Sequence, residues 1–146
     1  MFTHILTATD GSDWALKGVK VAIDMAAIHK ARLTVITVTE PYPEYAYAEG
    51  LIPLPDINSI QESRRLRAKE VLDSIDHLAR AQGVEAKLLH IPESHAATEI
   101  VTQASQYGCD LIVIGSRGRR GLTKLILGSQ AAEVLAGTNL PVLIVK

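Results

Sequence analysis

The sequence predicts an α/β protein with a parallel β-sheet and helices on both faces. Short apolar or β-rich stretches alternate with stretches of helical period along the chain, as in successive strand–helix–strand units. A glycine-rich stretch joins the apolar run at 110–114 to a short helical pattern that starts near residue 129. A wholly apolar run at 141–145 supplies a last strand. The 146 residues are enough for one domain with a full core, which we expect to span 1–146.

The bounds of each element follow from hydrophobic period and from capping residues. Strands are expected at 2–9, 32–39, 84–91, 110–114 and 141–145. Helices are expected from Ser12 or Asp13 to about residue 30, from Ser59 to about 82, from Ser94 to about 107, and from Ser129 to about 136. Each predicted helix starts at a residue type that favours the N-cap position. Residues 40–57 hold four prolines and three tyrosines and predict an irregular loop.

The glycine-rich stretch has the chemistry of a phosphate site. Its pattern is Gly-x2-Gly-x9-Gly-Ser over residues 115–129. Glycines let backbone N–H groups come close to a ligand, and a helix N-terminus adds free N–H donors and a positive dipole end. The hydroxyls of Ser116 and Ser129 can bond phosphate oxygens, and nearby cations make the stretch basic: Arg117, Arg119, Arg120 and Lys124. The alternative is a plain flexible connection with no ligand.

Other function classes lack their sequence signatures. The formal net charge of −1 disfavours a general nucleic-acid binder. There is neither a P-loop nor a Gly-x-Gly-x-x-Gly after the first strand, which disfavours P-loop NTPases and dinucleotide dehydrogenases. The five histidines show no metal-ligand spacing. We find no signal-peptide pattern and no apolar run of about 18 residues, so a cytoplasmic location is expected.

Nearly the whole chain resembles the universal stress protein family. The matching stretches are Ile5–Ser12, Asp110–Gly118, Leu127–Ser129 and Pro141–Val145. The resemblance implies a Rossmann-like fold of the adenine-nucleotide α-hydrolase type, with strand order 3-2-1-4-5. That order places the topological switch point between the first and fourth strands, where ligands bind in such sheets. Asp10 and Gly115 would then meet in one crevice.

The resemblance also implies a nucleotide site, residue by residue. Residues matching Ala8, Thr9, Asp10 and Val38 contact the base and ribose in ATP-binding members. Residues around the ribose and phosphates match Ile114, Gly115, Arg117, Gly118, Gly128, Ser129, Gln130 and Ala131. Ala131 departs from members with a hydroxyl there, which removes one phosphate contact. From the sequence alone, Asp10 could simply be a turn residue or an N-cap, but its place at the carboxyl end of a central strand favours the functional interpretation.

The function implied is that of a cytoplasmic stress-response sensor that binds ATP, ADP or AMP. Mg²⁺ or Mn²⁺ would be held mainly by the phosphates. The apolar edge strand Val142–Val145 predicts a homodimer by edge pairing, and assembly of two dimers into a tetramer stays open. The nucleotide state would tune a partner protein, such as an enzyme, a regulator or a membrane transporter.

Two alternatives stay open. One is a slow ATP hydrolase, or a protein that phosphorylates itself on Ser116 or Ser129. Because Asp10 is the one obvious acid near the expected site, and phosphoryl transfer needs a positioned nucleophile and a metal clamp, we expect no efficient turnover. The other is a protein-interaction module without nucleotide.

The basic run formed by Arg64, Arg65, Arg67 and Lys69 is interpreted as a solvated helix face.

Overall fold

The computed structural model describes residues 1–43, 48–50, 56–117 and 127–146. The strands are β1 (His4–Ala8), β2 (Arg32–Thr39), β3 (Ala86–Pro92), β4 (Leu111–Gly115) and β5 (Val142–Val145). The helices are α1 (Asp13–His29), α2 (Asp56–Ala81), α3 (Ala96–Gln106) and α4 (Ser129–Gly137). Among these described residues, no helix is both long enough and apolar enough to cross a bilayer.

The five strands form one parallel sheet in the order β3-β2-β1-β4-β5. This confirms the predicted fold class and strand order. β1 lies at the centre, and its register aligns Leu6 with Thr34 of β2 and with Ile112 of β4. The switch point therefore falls between β1 and β4, and their carboxyl ends lie at the same edge of the sheet.

Two hydrophobic layers flank the sheet, one on each face. The first joins Ile5 of β1 to apolar residues of α1 and α2, such as Ile23 and Ile75. The second joins Leu6 of β1 to apolar residues of α3 and α4, such as Ile100 and Val134. Neighbouring residues of β1 point to opposite layers because side chains alternate along a strand. As predicted, helices cover both faces.

Several element ends differ from the predicted ones. Ser12 caps α1 as expected, accepting a hydrogen bond from the Ala15 N–H at 3.2 Å. By contrast, α2 already begins at Asp56, so Ser59 lies inside the helix. The N-cap of α3 is His95 rather than Ser94, and that of α4 is Gly128 rather than Ser129. A side-chain cap is worth only about 1 kcal/mol, so tertiary packing readily moves a helix start by a few residues.

Candidate functional site

A cavity of about 600 Å³ opens at the carboxyl ends of β1, β2 and β4. This is the switch-point edge of the sheet, where α1 leaves toward one layer and α4 toward the other. The volume is within the range of small-molecule sites, about 300 to 1,000 Å³. The walls combine apolar residues of the sheet and α3 with charged residues of α2, of α4 and of the segments that follow β1, β2 and β4.

Most of the predicted site residues line this cavity. They are Ala8, Thr9, Asp10, Val38, Ile114, Gly115, Arg117, Gly128, Ser129, Gln130 and Ala131. Gly118 lies outside the described residues, as do Arg119, Arg120 and Lys124. Ser116 is buried beside the cavity, with 5% of its surface exposed. Its N–H donates to the Val145 carbonyl at 2.7 Å, and its carbonyl accepts from the Gly128 N–H at 2.8 Å. Ser116 therefore ties both sides of the glycine stretch to β5.

The glycines at 115 and 128 serve close contacts between backbone segments. A Cβ on Gly115 would lie 2.6 Å from the Trp14 carbonyl oxygen, and one on Gly128 would lie 3.0 Å from the Ser116 carbonyl oxygen. The first distance is shorter than real Cβ contacts, so a side chain at 115 would force the backbone apart. The sequence prediction explained these glycines by the approach of a ligand, whereas the structure shows that neighbouring backbone already requires glycine at 115 and leaves little room for a side chain at 128.

The end of β1 forms a tight turn into α1. The Asp10 carboxylate accepts a hydrogen bond from the Ser12 N–H at 2.9 Å, and the Thr9 hydroxyl accepts one from the Gly11 N–H at 3.1 Å. Gly11 has a φ of 81°, which favours glycine. Asp10 is thus a turn residue that also lines the cavity, and the two roles considered for it are compatible.

Arg117 places a guanidinium group in the cavity wall, and one hydrogen-bond donor of this group, Nε, is unsatisfied among the described residues. Its guanidinium carbon lies 5.0 Å from the centre of the Trp14 ring, within the range of a cation–π contact. The Nζ of Lys17 lies 4.3 Å from the same ring centre. The Nε of Arg117 is buried and has no hydrogen-bond partner within the described parts of the chain. A buried donor without an acceptor is costly, so this wall is suited to an acceptor-bearing ligand.

A histidine and two carboxylates form a polar cluster in the same cavity. The Nε2 of His95 lies 2.7 Å from a Glu133 carboxylate oxygen, and its Nδ1 lies 3.8 Å from the Glu40 carboxylate. The Gln130 amide also donates to Glu40, at 3.4 Å. The hydrogen bond to Glu133, with Glu40 nearby, raises the pKa of His95 despite some desolvation.

Sequence reasoning missed this cluster. We expected Asp10 to be the one acid near the site, but Glu40 and Glu133 line the cavity as well. The reason is topological: Glu40 follows β2, His95 precedes α3 and Glu133 lies on α4. No local spacing in the sequence links residues that only the sheet order brings together.

The basic run on α2 is solvated, as predicted, at Arg65, Arg67 and Lys69, whereas Arg64 is half-buried. Arg64 and Arg67 line the cavity, together with Ala68 and Val71 of the same helix face. Their spacing of three, four and seven residues was a usable signal, because it marks one side of a helix. The other two members form surface ion pairs: Arg65 with Glu62 and Lys69 with Asp73.

Fold and cavity together define a doubly wound α/β protein with a cavity at its topological switch point. The model of the universal stress protein family matches residues 1–146, and the chain belongs to this family. It is 36% identical over 146 residues to a universal stress protein of Thermus aquaticus, with full coverage of both chains. It is 32% identical over 149 residues to the universal stress protein YxiE of Bacillus subtilis, again with full coverage of both.

Solved structures of the family share the fold. A family member from Burkholderia pseudomallei superposes with a TM-score of 0.77 at 25% identity, over 98% of this chain and 95% of that one. A universal stress protein in complex with cAMP gives 0.69 at 24% identity, over 99% and 96%. One from Archaeoglobus fulgidus in complex with dAMP gives 0.67 at 21% identity, over 99% and 98%.

Proposed function

We propose that this chain binds an adenine nucleotide with a 5′-phosphate, such as ATP, ADP or AMP, and acts as a regulatory sensor in a stress response. The observation that carries the proposal is the Arg117 Nε, a buried donor in the cavity wall without a partner among the described residues. Support comes from the family members that were solved with cAMP and dAMP. Both ligands combine an adenine base with a phosphate, and the cavity offers apolar walls and anion-binding groups side by side.

In this proposal the phosphates bind at the start of α4. Its N-cap, Gly128, has no side chain to satisfy the first N–H groups of the helix, so these donors and the positive end of the helix dipole remain for an anion. Arg117 adds a charge-assisted donor, and Ser129 adds a hydroxyl. The nucleoside would then extend toward Thr9, Asp10 and Val38 at the ends of β1 and β2, in accordance with the predicted site.

A divalent ion would be held by the phosphates rather than by a protein cage. Within the described residues, no three His, Cys, Asp or Glu side chains are grouped so as to hold a metal. Asp10, Glu40 and Glu133 do line the cavity and could each bond a water of a hydrated Mg²⁺ or Mn²⁺. This matches the usual behaviour of Mg²⁺, which keeps several waters beside substrate phosphates.

The His95 cluster is the one observation that favours an enzyme, because a histidine oriented by a carboxylate is a common general base. Here, however, both ring nitrogens face carboxylates, at 2.7 and 3.8 Å, and the raised pKa of His95 favours its protonated form. Because each ring nitrogen faces a carboxylate, neither is directed at a water that could attack a phosphate. We therefore propose nucleotide binding without efficient turnover.

We further propose that the protein works in the cytoplasm as a homodimer paired through β5. This strand lies at the edge of the sheet and pairs with β4 on one side. Its Leu143 side chain is 38% exposed. Pairing of two such edges across a two-fold axis would cover the unpaired backbone groups. The nucleotide-dependent surface of this dimer would act on a partner protein.

The proposal is tested by calorimetric titration with ATP and with AMP, with and without Mg²⁺, after confirming that no nucleotide co-purifies. Arg117→Gln should weaken binding about tenfold or more, because a charged hydrogen bond is worth about 1.5 to 3 kcal/mol. The matched control is Lys17→Gln, which removes the other cation on the Trp14 ring and should leave affinity unchanged. Absence of binding by the wild-type protein at millimolar nucleotide would contradict the proposal.

A further inference from the structure

The α2 helix gives the cavity a second cationic wall. Arg64 and Arg67 are three residues apart on the face that lines the cavity. Arg64 is held in place, since its Nη1 donates to the Glu40 carbonyl at 2.8 Å and its guanidinium carbon lies 4.9 Å from the Tyr42 ring centre. Its guanidinium is thus oriented at the end of β2 before any ligand arrives.

Arg67 differs from every other basic residue of α2. Arg65, Lys69 and Arg80 form ion pairs with acids on the same helix, and Arg64 bonds the Glu40 carbonyl. Arg67 makes neither an ion pair nor a hydrogen bond with residues 1–43, 48–50, 56–117 or 127–146. Glu40, the acid that lines the cavity at the end of β2, directs its carboxylate to Gln130 and His95 instead. Arg67, an exposed residue on this wall of the cavity, therefore keeps its guanidinium unpaired among the described residues.

This wall lies on the other side of the cavity from the α4 phosphate site. α2 belongs to the hydrophobic layer on one face of the sheet, whereas α4 belongs to the layer on the other face. The strands that precede these helices, β2 and β4, are separated by β1, which places their ends about 10 Å apart. A phosphate seated at α4 and Arg117 would therefore lie on the far side of β1 from the Arg67 wall.

We propose that Arg67, with Arg64 beside it, binds a second phosphate group carried on the ribose, so that the preferred ligand class is a nucleoside bisphosphate. This inference rests on the proposed function and specifies its ligand. A single 5′-phosphate leaves the cationic wall at the end of β2 without an anion. In the NADP-binding members of another doubly wound class, the dinucleotide-binding folds, an arginine accepts a ribose 2′-phosphate in this way. The planar forks of two guanidinium groups suit the tetrahedral oxygens of a phosphate.

The test compares AMP with adenosine 3′,5′-bisphosphate and adenosine 2′,5′-bisphosphate by calorimetric titration at one fixed salt concentration. For the wild-type protein, at least one bisphosphate should bind about tenfold more tightly than AMP, which corresponds to about 1.4 kcal/mol. Arg67→Gln should remove this gain and leave AMP affinity unchanged. Arg65→Gln is the matched control, because Arg65 lies in the same basic run but pairs with Glu62 at the surface, and it should keep the gain.

Each other outcome overturns the inference in a recognisable way. If AMP binds and neither bisphosphate binds more tightly, the second phosphate site does not exist, while the nucleotide proposal stands. If the gain persists in Arg67→Gln, another group supplies it. If Arg67→Gln weakens AMP and the bisphosphates equally, Arg67 contacts the base or the 5′-phosphate instead. If the wild-type protein binds none of the three ligands, both proposals fail.

Discussion

Gly18 and Gly115 lie in direct backbone contact where α1 crosses the end of β4. A Cβ built on Gly18 would lie 2.6 Å from the Gly115 nitrogen and 2.9 Å from the Ile114 carbonyl carbon. A Cβ on Gly115 would meet the Trp14 carbonyl oxygen of α1, also at 2.6 Å. The two missing side chains let the helix rest on the strand that leads into the cavity, so this contact fixes the position of the Arg117 segment.

Gly18→Ala is therefore expected to destabilise the protein by about 1 to 3 kcal/mol, the usual cost of overpacking. In the interior of an unconstrained helix the same change would stabilise by about 0.5 to 1 kcal/mol. Gly137→Ala, at the end of α4, is the matched control, because its Cβ would lie 3.5 Å from a Val101 methyl group in ordinary contact. Urea unfolding measures both changes, and stabilisation by Gly18→Ala would contradict the contact.

Trp14 should report ligand binding through Arg117. It is the single tryptophan of the chain, and the Arg117 guanidinium carbon lies 5.0 Å from its ring centre. A phosphate that binds Arg117 changes the charge environment of the ring. Titration with ATP should therefore shift or quench the fluorescence emission of Trp14. The dissociation constant from this titration should equal the one from calorimetry. Arg117→Gln should abolish the response. An unchanged emission spectrum at saturating ATP would contradict a contact between the ligand and Arg117.

The His95–Glu133 pair should make stability depend on pH with a definite sign. Because the folded protein raises the pKa of His95, its contribution is fully present below the ordinary value near 6.5. The contribution is lost as pH rises through the folded-state pKa. The free energy of unfolding of wild type minus that of His95→Gln should therefore be larger at pH 5.5 than at pH 9. Both side chains are half-exposed, so solvent screening keeps the effect small.

Glu133→Gln tests the carboxylate partner of His95 in the same way. Removing the carboxylate should abolish most of the pH dependence assigned to His95, and adding His95→Gln in the same protein should have little further effect. A stability difference that is the same at both pH values, or larger at pH 9, would show that the pair does not favour the protonated imidazole.

Leu143→Arg should separate the proposed dimer into monomers. Leu143 is the partly exposed side chain in the middle of the edge strand β5, and a charge there would be buried at the proposed interface without a partner. Leu66→Arg is the control, since Leu66 is exposed on α2. This helix packs against β2 and β3, and β3 lies at the opposite edge of the sheet from β5. Sedimentation analysis distinguishes the two variants, and a monomeric wild-type protein would contradict the proposal.

The sequence by itself determined the strands, the helices and about half of the residues that line the cavity. Apolar runs such as 111–114 and the helical period of α1 are local properties, readable wherever side chains repeat along the chain. The residues after β1 and β4, among them Asp10 and Arg117, were predicted because parallel strands end at a common edge and because the motif resembles that of a known family. Helix starts were less well determined, as Ser59 and Ser94 show, since a cap contributes little against tertiary packing.

Only the tertiary structure decided which distant side chains share the cavity. Glu40, His95 and Glu133 come from three separate parts of the chain, and no pattern in the sequence links them. Arg64 and Arg65 are neighbours in one basic run, yet one lines the cavity and the other pairs with Glu62 at the surface. The same holds for Gly18 and Gly115, whose need for glycine appears only when α1 rests on β4. Local patterns fix the conformation of a segment, whereas contacts between segments depend on how the sheet orders them.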